Sequence, residues 1–388
     1  MIHSKKFIKL GIFLIALNVF SQTTITRPIL TGAPFLRIAP DARAGGLGDQ
    51  GVATSPDAFS QYWNASKYLF STDYSGFAIS YTPFLSNLTN DVFLLNGTYH
   101  QYLGSEETQA IGASLYYFNL GEINLTEISG NQVISTGIAK PNEFAIDLSY
   151  SLLLAERFGM SVTMRYIRSD LYNNVSNSDN SQTKAASSIA FDLGGYYNTE
   201  KFDGLADKEG RLRGGFQIAN IGPKLDYSNS EDNSSFLPTN LRLGAGYDMY
   251  LDEYNTISLN LETTKLLVPT PQEDGTISDK GFLDGMISSF GDAPDGFGEE
   301  FKEFTYSVGV EYDYNRQFAF RAGYFHESPE KGARQFVTLG AGLKYQAFGL
   351  DFSYLLTTSK VNSALDNTLR FALTWNFGGN SSKGDFGY

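Results

Sequence analysis

From Ser75 to Phe377, apolar and polar side chains alternate one by one in segment after segment. In the stretch 304–314, Phe304, Tyr306, Val308, Val310, Tyr312 and Tyr314 share one parity, and Thr305, Ser307, Gly309, Glu311 and Asp313 share the other. Successive side chains of a β-strand point to opposite faces, so this pattern dictates a strand with one apolar and one polar face. Leu369, Phe371, Leu373, Trp375 and Phe377 repeat it near the end of the chain. Fourteen such segments can be placed, at 76–85, 91–103, 108–121, 143–154, 158–172, 184–198, 211–221, 239–251, 255–268, 303–314, 317–327, 335–346, 348–358 and 367–377. Each is about 10–15 residues long, whereas soluble strands average about 5–6 and a tilted bilayer-crossing strand needs about 9–11. Charges inside them favour the polar parity: Asp147, Arg165, Asp192, Arg213, Arg242, Glu262, Arg321, Lys344, Asp351 and Arg370.

Alternation alone fits either a soluble sandwich or a membrane barrel. The connections separate the two. Those at 86–90, 104–107, 155–157, 252–254, 315–316 and 347 are short, those at 173–183, 199–210, 328–334 and 359–366 are of medium length, and those at 122–142, 222–238 and 269–302 are long, so every second connection tends to be a tight turn and most of the others are long. Short turns on one side and long loops on the other are the periplasmic and extracellular ends of an outer-membrane barrel. The even strand number returns both barrel ends to the periplasmic side. At the start of the chain, Lys5, Lys6 and Lys9 precede an apolar run from Leu10 to Phe20, followed by Ser21 and Gln22. That is the form of a cleaved secretory signal, and eleven residues rising about 1.5 Å each are too short to span a core of about 30 Å. The expected organisation is a signal peptide at 1–22, an N-terminal plug at 23–74, an all-β, 14-stranded antiparallel transmembrane β-barrel at 75–377, and a periplasmic tail at 378–388.

The chain contains no cysteine and carries a net charge of -13. It therefore has no disulfide framework and no cysteine-ligated metal, and it is a poor binder of nucleic acid. His100 and His326 share no ligand spacing, and no G-x-S-x-G elbow occurs. Neither an enzymatic activity nor a cofactor or metal is expected. Gly46, Gly48 and Gly51 match G-x-G-x-x-G, but no strand precedes them and no helix–strand unit follows, so tight backbone packing is the better reading. Asp292, Asp295, Glu299 and Glu300 lack the spacing of a calcium loop and read as a solvated acidic run.

Residues 23–74 do not alternate, hold four prolines, and include a short amphipathic stretch from Pro56 to Tyr68. A 14-stranded barrel has an interior too wide for its own side chains to fill, so this segment is expected to plug it. The run from Phe35 to Thr54 contains Arg37, Asp41, Arg43, Gly46, Gly48 and Gly51, and is followed by Asp57 and by Tyr62-Trp63-Asn64-Ala65-Ser66-Lys67-Tyr68. It resembles the hatch of FadL-like outer-membrane barrels, and within that superfamily it is most similar to the PorV family of the type IX secretion system. That family has Asn-Pro-Ala after the Trp where this chain has Asn64, Ala65 and Ser66.

The resemblance implies a secretion-system component in the outer-membrane lipid. Its partners would be the large translocon barrel, the C-terminal domains of secreted cargo, and a sortase-like surface attachment protein. The alternative it implies is a FadL-like channel for uptake of long-chain fatty acids or hydrocarbons. Within the long loop 269–302, Phe282, Leu283, Met286, Ile287 and Phe290 recur at helical spacing. That apolar face fits partner docking, a lid on the barrel's own rim, or a lipid-feeding surface.

Overall fold

A computed structural model describes residues 26–84, 91–129, 132–171, 184–227, 234–272, 274–276, 278–359 and 367–379. Fourteen strands form the wall: β1 (Asp73–Pro83), β2 (Val92–Leu103), β3 (Gln109–Leu120), β4 (Asn142–Ala155), β5 (Phe158–Asp170), β6 (Ala186–Asn198), β7 (Glu209–Ile221), β8 (Asn240–Tyr250), β9 (Asn255–Leu266), β10 (Phe304–Tyr314), β11 (Phe318–His326), β12 (Gln335–Tyr345), β13 (Phe348–Thr357) and β14 (Leu369–Gly379). Each pairs antiparallel with the next, and β14 returns to β1 through pairs such as Phe77 with Trp375 and Ile79 with Leu373. The sheet is a closed 14-stranded barrel. Closure leaves no edge, as a strand structure in lipid requires.

The two faces of the wall are those the alternation predicts. On β5, Val162 and Met164 are 52% and 46% exposed while Arg165 is 3% exposed, and Ser161 and Thr163 are buried. The exposed residues are apolar and the buried ones polar, the inverse of a soluble sandwich and the requirement of a lipid-facing exterior. Tyr314, Phe318, Tyr345, Phe348 and Phe377 cluster on the outside near the tight turns, as an interfacial girdle. No helix among the described residues is long and apolar enough to cross a membrane.

The connections at 104–108, 156–157, 251–254, 315–317 and 346–347 lie at one end, and those at 121–141, 222–239, 267–303 and 327–334 at the other. Two features of the long loops were not anticipated from the sequence. Ile123–Ser129 and Gln132–Ala139 form a two-stranded hairpin of their own. Loop 267–303 carries, besides the helix its apolar spacing predicts, α3 (Phe282–Ser288), a second and unexpected one, α4 (Phe297–Lys302); α1 (Ala42–Gly46) and α2 (Ser60–Trp63) lie in the N-terminal segment. The expected short connection 86–90 and the tail beyond Gly379 lie outside the described residues.

Candidate functional site

Residues 26–72 lie against the inner wall. Asp41 opens a short helix, Ala42–Gly46, by accepting the Ala44 amide at 2.8 Å, as capping side chains do. That helix packs on β11, β12, β13 and β14. A 3-10 helix, Ala65–Phe70, packs on β2, β3, β4, β5 and β6. Between them, Gly51 and Val52 donate their amides to Glu262 on β9, at 2.8 and 2.9 Å. The segment thus touches most of the circumference.

Each residue of the sequence motif has a partner. Arg43 forks onto Glu311 at 2.8 and 3.0 Å and reaches Asp57 at 2.8 Å. Glu311 also accepts from Arg321, which reaches Asp351, so a charge chain runs from the segment across three strands. Asp41 accepts from the Trp63 indole at 2.8 Å, which pins the two halves of the segment together. The Arg242 guanidinium lies over the rings of Tyr62 and Trp63, at 4.8 and 4.9 Å. Asn64 donates to the Gly195 carbonyl at 2.9 Å and accepts from Ser66. Arg37 is half-buried, 3.6 Å from Glu327. Ala65 occupies the first position of the 3-10 helix, where proline and alanine both fit, so the missing proline needs no different chain path.

The three glycines serve close approach rather than nucleotide binding. Gly48 has φ +83°, and a Cβ there would stand 2.9 Å from the Tyr324 carbonyl oxygen. The Trp63 ring lies against Gly51, and Gly46 faces Gly340 of β12. The wall answers with its own glycines, since a Cβ on Gly215 would fall 2.2 Å from the Val52 oxygen.

Sequence reasoning missed Asp49, which pairs with Arg370 at 2.8 Å, and Lys67, whose ammonium donates to the Gly51 carbonyl and the Thr54 hydroxyl. A lone lysine among aromatic residues was the available signal for the second. A cavity of about 340 Å³ opens at the tight-turn end, lined by Arg43, Asp57, His100, Glu311 and Arg321. A smaller one of about 70 Å³, lined by Arg37, Tyr62, Trp63, Arg242 and Glu327, lies toward the long loops. Residues of the segment line both.

The second candidate is loop 267–303. Helix α3 seats Gly285 against Phe236 and Pro269, so Phe282 and Met286 are half-buried while Leu283, Ile287 and Phe290 are 50%, 70% and 53% exposed. The five residues do not form one outward face. Phe297 and Phe301 of α4 extend the exposed apolar surface, their rings edge to face at 4.8 Å. Beneath lies a buried ion network: Lys265 with Glu303 at 2.5 Å, and Lys331 with Glu299 and Glu303 at 2.7 and 2.9 Å. Glu299 and Glu300 are therefore buried and paired, not solvated as the acidic run implied. Burial raises the Glu299 carboxyl, but Lys331, the Asp295 amide and Arg27 outweigh it and hold it below the ordinary carboxylate range. No group of metal-ligating residues occurs among the described residues.

A family model described as type IX secretion system protein PorV matches residues 21–273. The toluene transporter TodX of P. putida superposes with a TM-score of 0.51 at 11% identity, over 88% of this chain and 99% of that one. A deletion mutant of TodX, a monoaromatic hydrocarbon channel, gives 0.52 at 11% identity, over 87% and 99%. A FadL homologue from Pseudomonas aeruginosa gives 0.46 at 11% identity, over 91% and 100%. At such identity the likeness to TodX speaks for the fold alone. No curated protein sequence matches significantly.

Proposed function

Because the chain belongs to the PorV family of the type IX secretion system, we propose that this outer-membrane barrel works there as a docking subunit. Loop 267–303 binds the large translocon barrel. The outer end receives the C-terminal signal domain of cargo and passes it to the attachment machinery with its sortase-like protein. The observation that carries this reading is the exposed apolar set Leu283, Ile287, Phe290, Phe297 and Phe301 on a loop anchored by buried ion pairs. An apolar patch on a rigid support outside the bilayer is an aggregation liability unless a partner covers it.

The test is co-purification from mild detergent. Replacing Leu283, Ile287 and Phe290 with Ser removes three anchors, each worth about 1.5–3 kcal/mol when buried, and a few anchors dominate most interfaces. The triple variant should lose the translocon while the barrel still runs as a compact species on an unboiled gel. Retained co-purification and secretion, with impaired uptake of a long-chain hydrocarbon, would instead support the FadL-like channel. The second element of the proposal is that residues 23–74 act as a plug, with the lumen closed to solutes while the outer loops handle protein partners.

A further inference from the structure

The barrel begins at Asp73, at the tight-turn end, where Asp73 pairs with Gly379. The chain ahead of it does not begin there. Arg27 is buried at the opposite end, on loop 267–303, with its guanidinium 3.0 Å from Glu299 and 2.7 Å from Asp295. Its amide donates to the Glu330 carbonyl of loop 327–334 at 2.9 Å. Ile29 packs with Phe236, Leu266 and Val268, and the Gly32 amide donates to the Phe236 carbonyl at 2.8 Å. Residues 26–32 therefore touch three long loops, which are the extracellular ones by the asymmetry of such barrels. Immediately afterwards Ala33 turns at φ 47°, and Phe35 and Leu36 enter the main core cluster inside the wall, with Phe35 5.5 Å from the Tyr116 ring. A non-glycine residue holds that left-handed conformation only where both sides are fixed. From Gly32 to Phe35 the chain reaches at most about 11 Å, so no slack separates loop from lumen.

We infer that residues 26–32 are a strap that enters the barrel from the cell surface and couples loop 267–303 to the segment filling the lumen. Arg27 is its clasp. What moves α3 and α4 pulls on the strap, and the strap pulls on the helix Ala42–Gly46 behind it. The inference does not depend on what the loop binds.

The absence of cysteine makes the test direct, since one introduced thiol is the only one present. Thr26→Cys should react with a membrane-impermeant maleimide on intact cells as fast as in detergent. Labelling only after the outer membrane is permeabilised would overturn the position of the strap. For the coupling, Arg27→Gln should speed tryptic cleavage at the exposed Lys280 about tenfold. It should also raise labelling of a buried Ala39→Cys thiol about tenfold, whereas Arg27→Lys should raise both by much less. A loop loosened by Arg27→Gln with unchanged labelling at position 39 would overturn the coupling. Unboiled gel mobility certifies the barrel in each variant, and the Thr26→Cys result stands even if Arg27→Gln does not fold.

Discussion

Gly214 and Gly215 are neighbours on β7 that face different surroundings. A Cβ on Gly214 meets nothing within 4 Å, whereas one on Gly215 falls 2.2 Å from the Val52 carbonyl oxygen. Gly214→Ala should therefore change stability by no more than about 0.5 kcal/mol. Gly215→Ala should cost about 1–3 kcal/mol, because the wall or the lumen segment must shift to admit the methyl group. Thermal unfolding followed by loss of the compact gel species measures both, and equal effects would mean that the segment does not bear on the wall at Val52. At this scale the sequence motif was legible as a set but not as contacts. Nothing in its spacing tells that Arg43 meets Glu311, 268 positions away, or that Asp41 serves both as a helix cap and as the Trp63 acceptor. The charges of the polar parity announced a lined lumen, and which of them pair was set by strand register, which is a property of the closed sheet.

Among the elements, the strands were the most legible, because a wall between lipid and lumen imposes a period of two over its whole height. The apolar spacing of 282–290 predicts helix α3 to within two residues of its observed end but not its orientation. Counting only apolar residues hid Gly285, whose missing side chain lets the helix sit on Phe236 and leaves Leu283, Ile287 and Phe290 outward. Helix α4 spans six residues, two of them glutamates buried against lysines, and carries too little periodicity to be read. The hairpin at 123–139 escapes a reading by alternation because its register shifts opposite Leu125 and Thr126, where Thr136 is the extra residue of a bulge. Among the described residues this hairpin pairs only within itself, and an isolated two-stranded ribbon contributes little stability to its surroundings. Replacing Ile123–Ala139 with a short Gly-Ser linker should leave the heat-modifiable barrel intact. Loss of the compact species would show that the hairpin takes part in assembly.

For the whole molecule, the central proposal is that a barrel of this width is filled by its own N-terminal chain. Eight strands enclose a space that side chains can fill, and sixteen or more enclose an aqueous channel. With fourteen, the occupant decides whether solutes pass. Here the occupant is held by ion pairs and backbone bonds to opposite walls, at Glu311, Arg370, Glu262 and Gly195. It lines both flanking cavities, the one of about 340 Å³ with Arg43 and Asp57 and the one of about 70 Å³ with Tyr62 and Trp63. Removing one partner of a buried ion pair costs roughly 3–5 kcal/mol, because the other charge is left without its counter-charge. Arg43→Met leaves both Asp57 and Glu311 short of a cation, although Arg321 still holds Glu311. Single-channel recordings in planar bilayers should therefore follow a graded order: almost no conductance for the intact chain, brief openings for Arg43→Met, and a persistent pore once residues 26–72 are deleted. Large stable pores in the intact protein would show that the segment does not seal the lumen. A closed deletion variant would place the barrier in the outer loops.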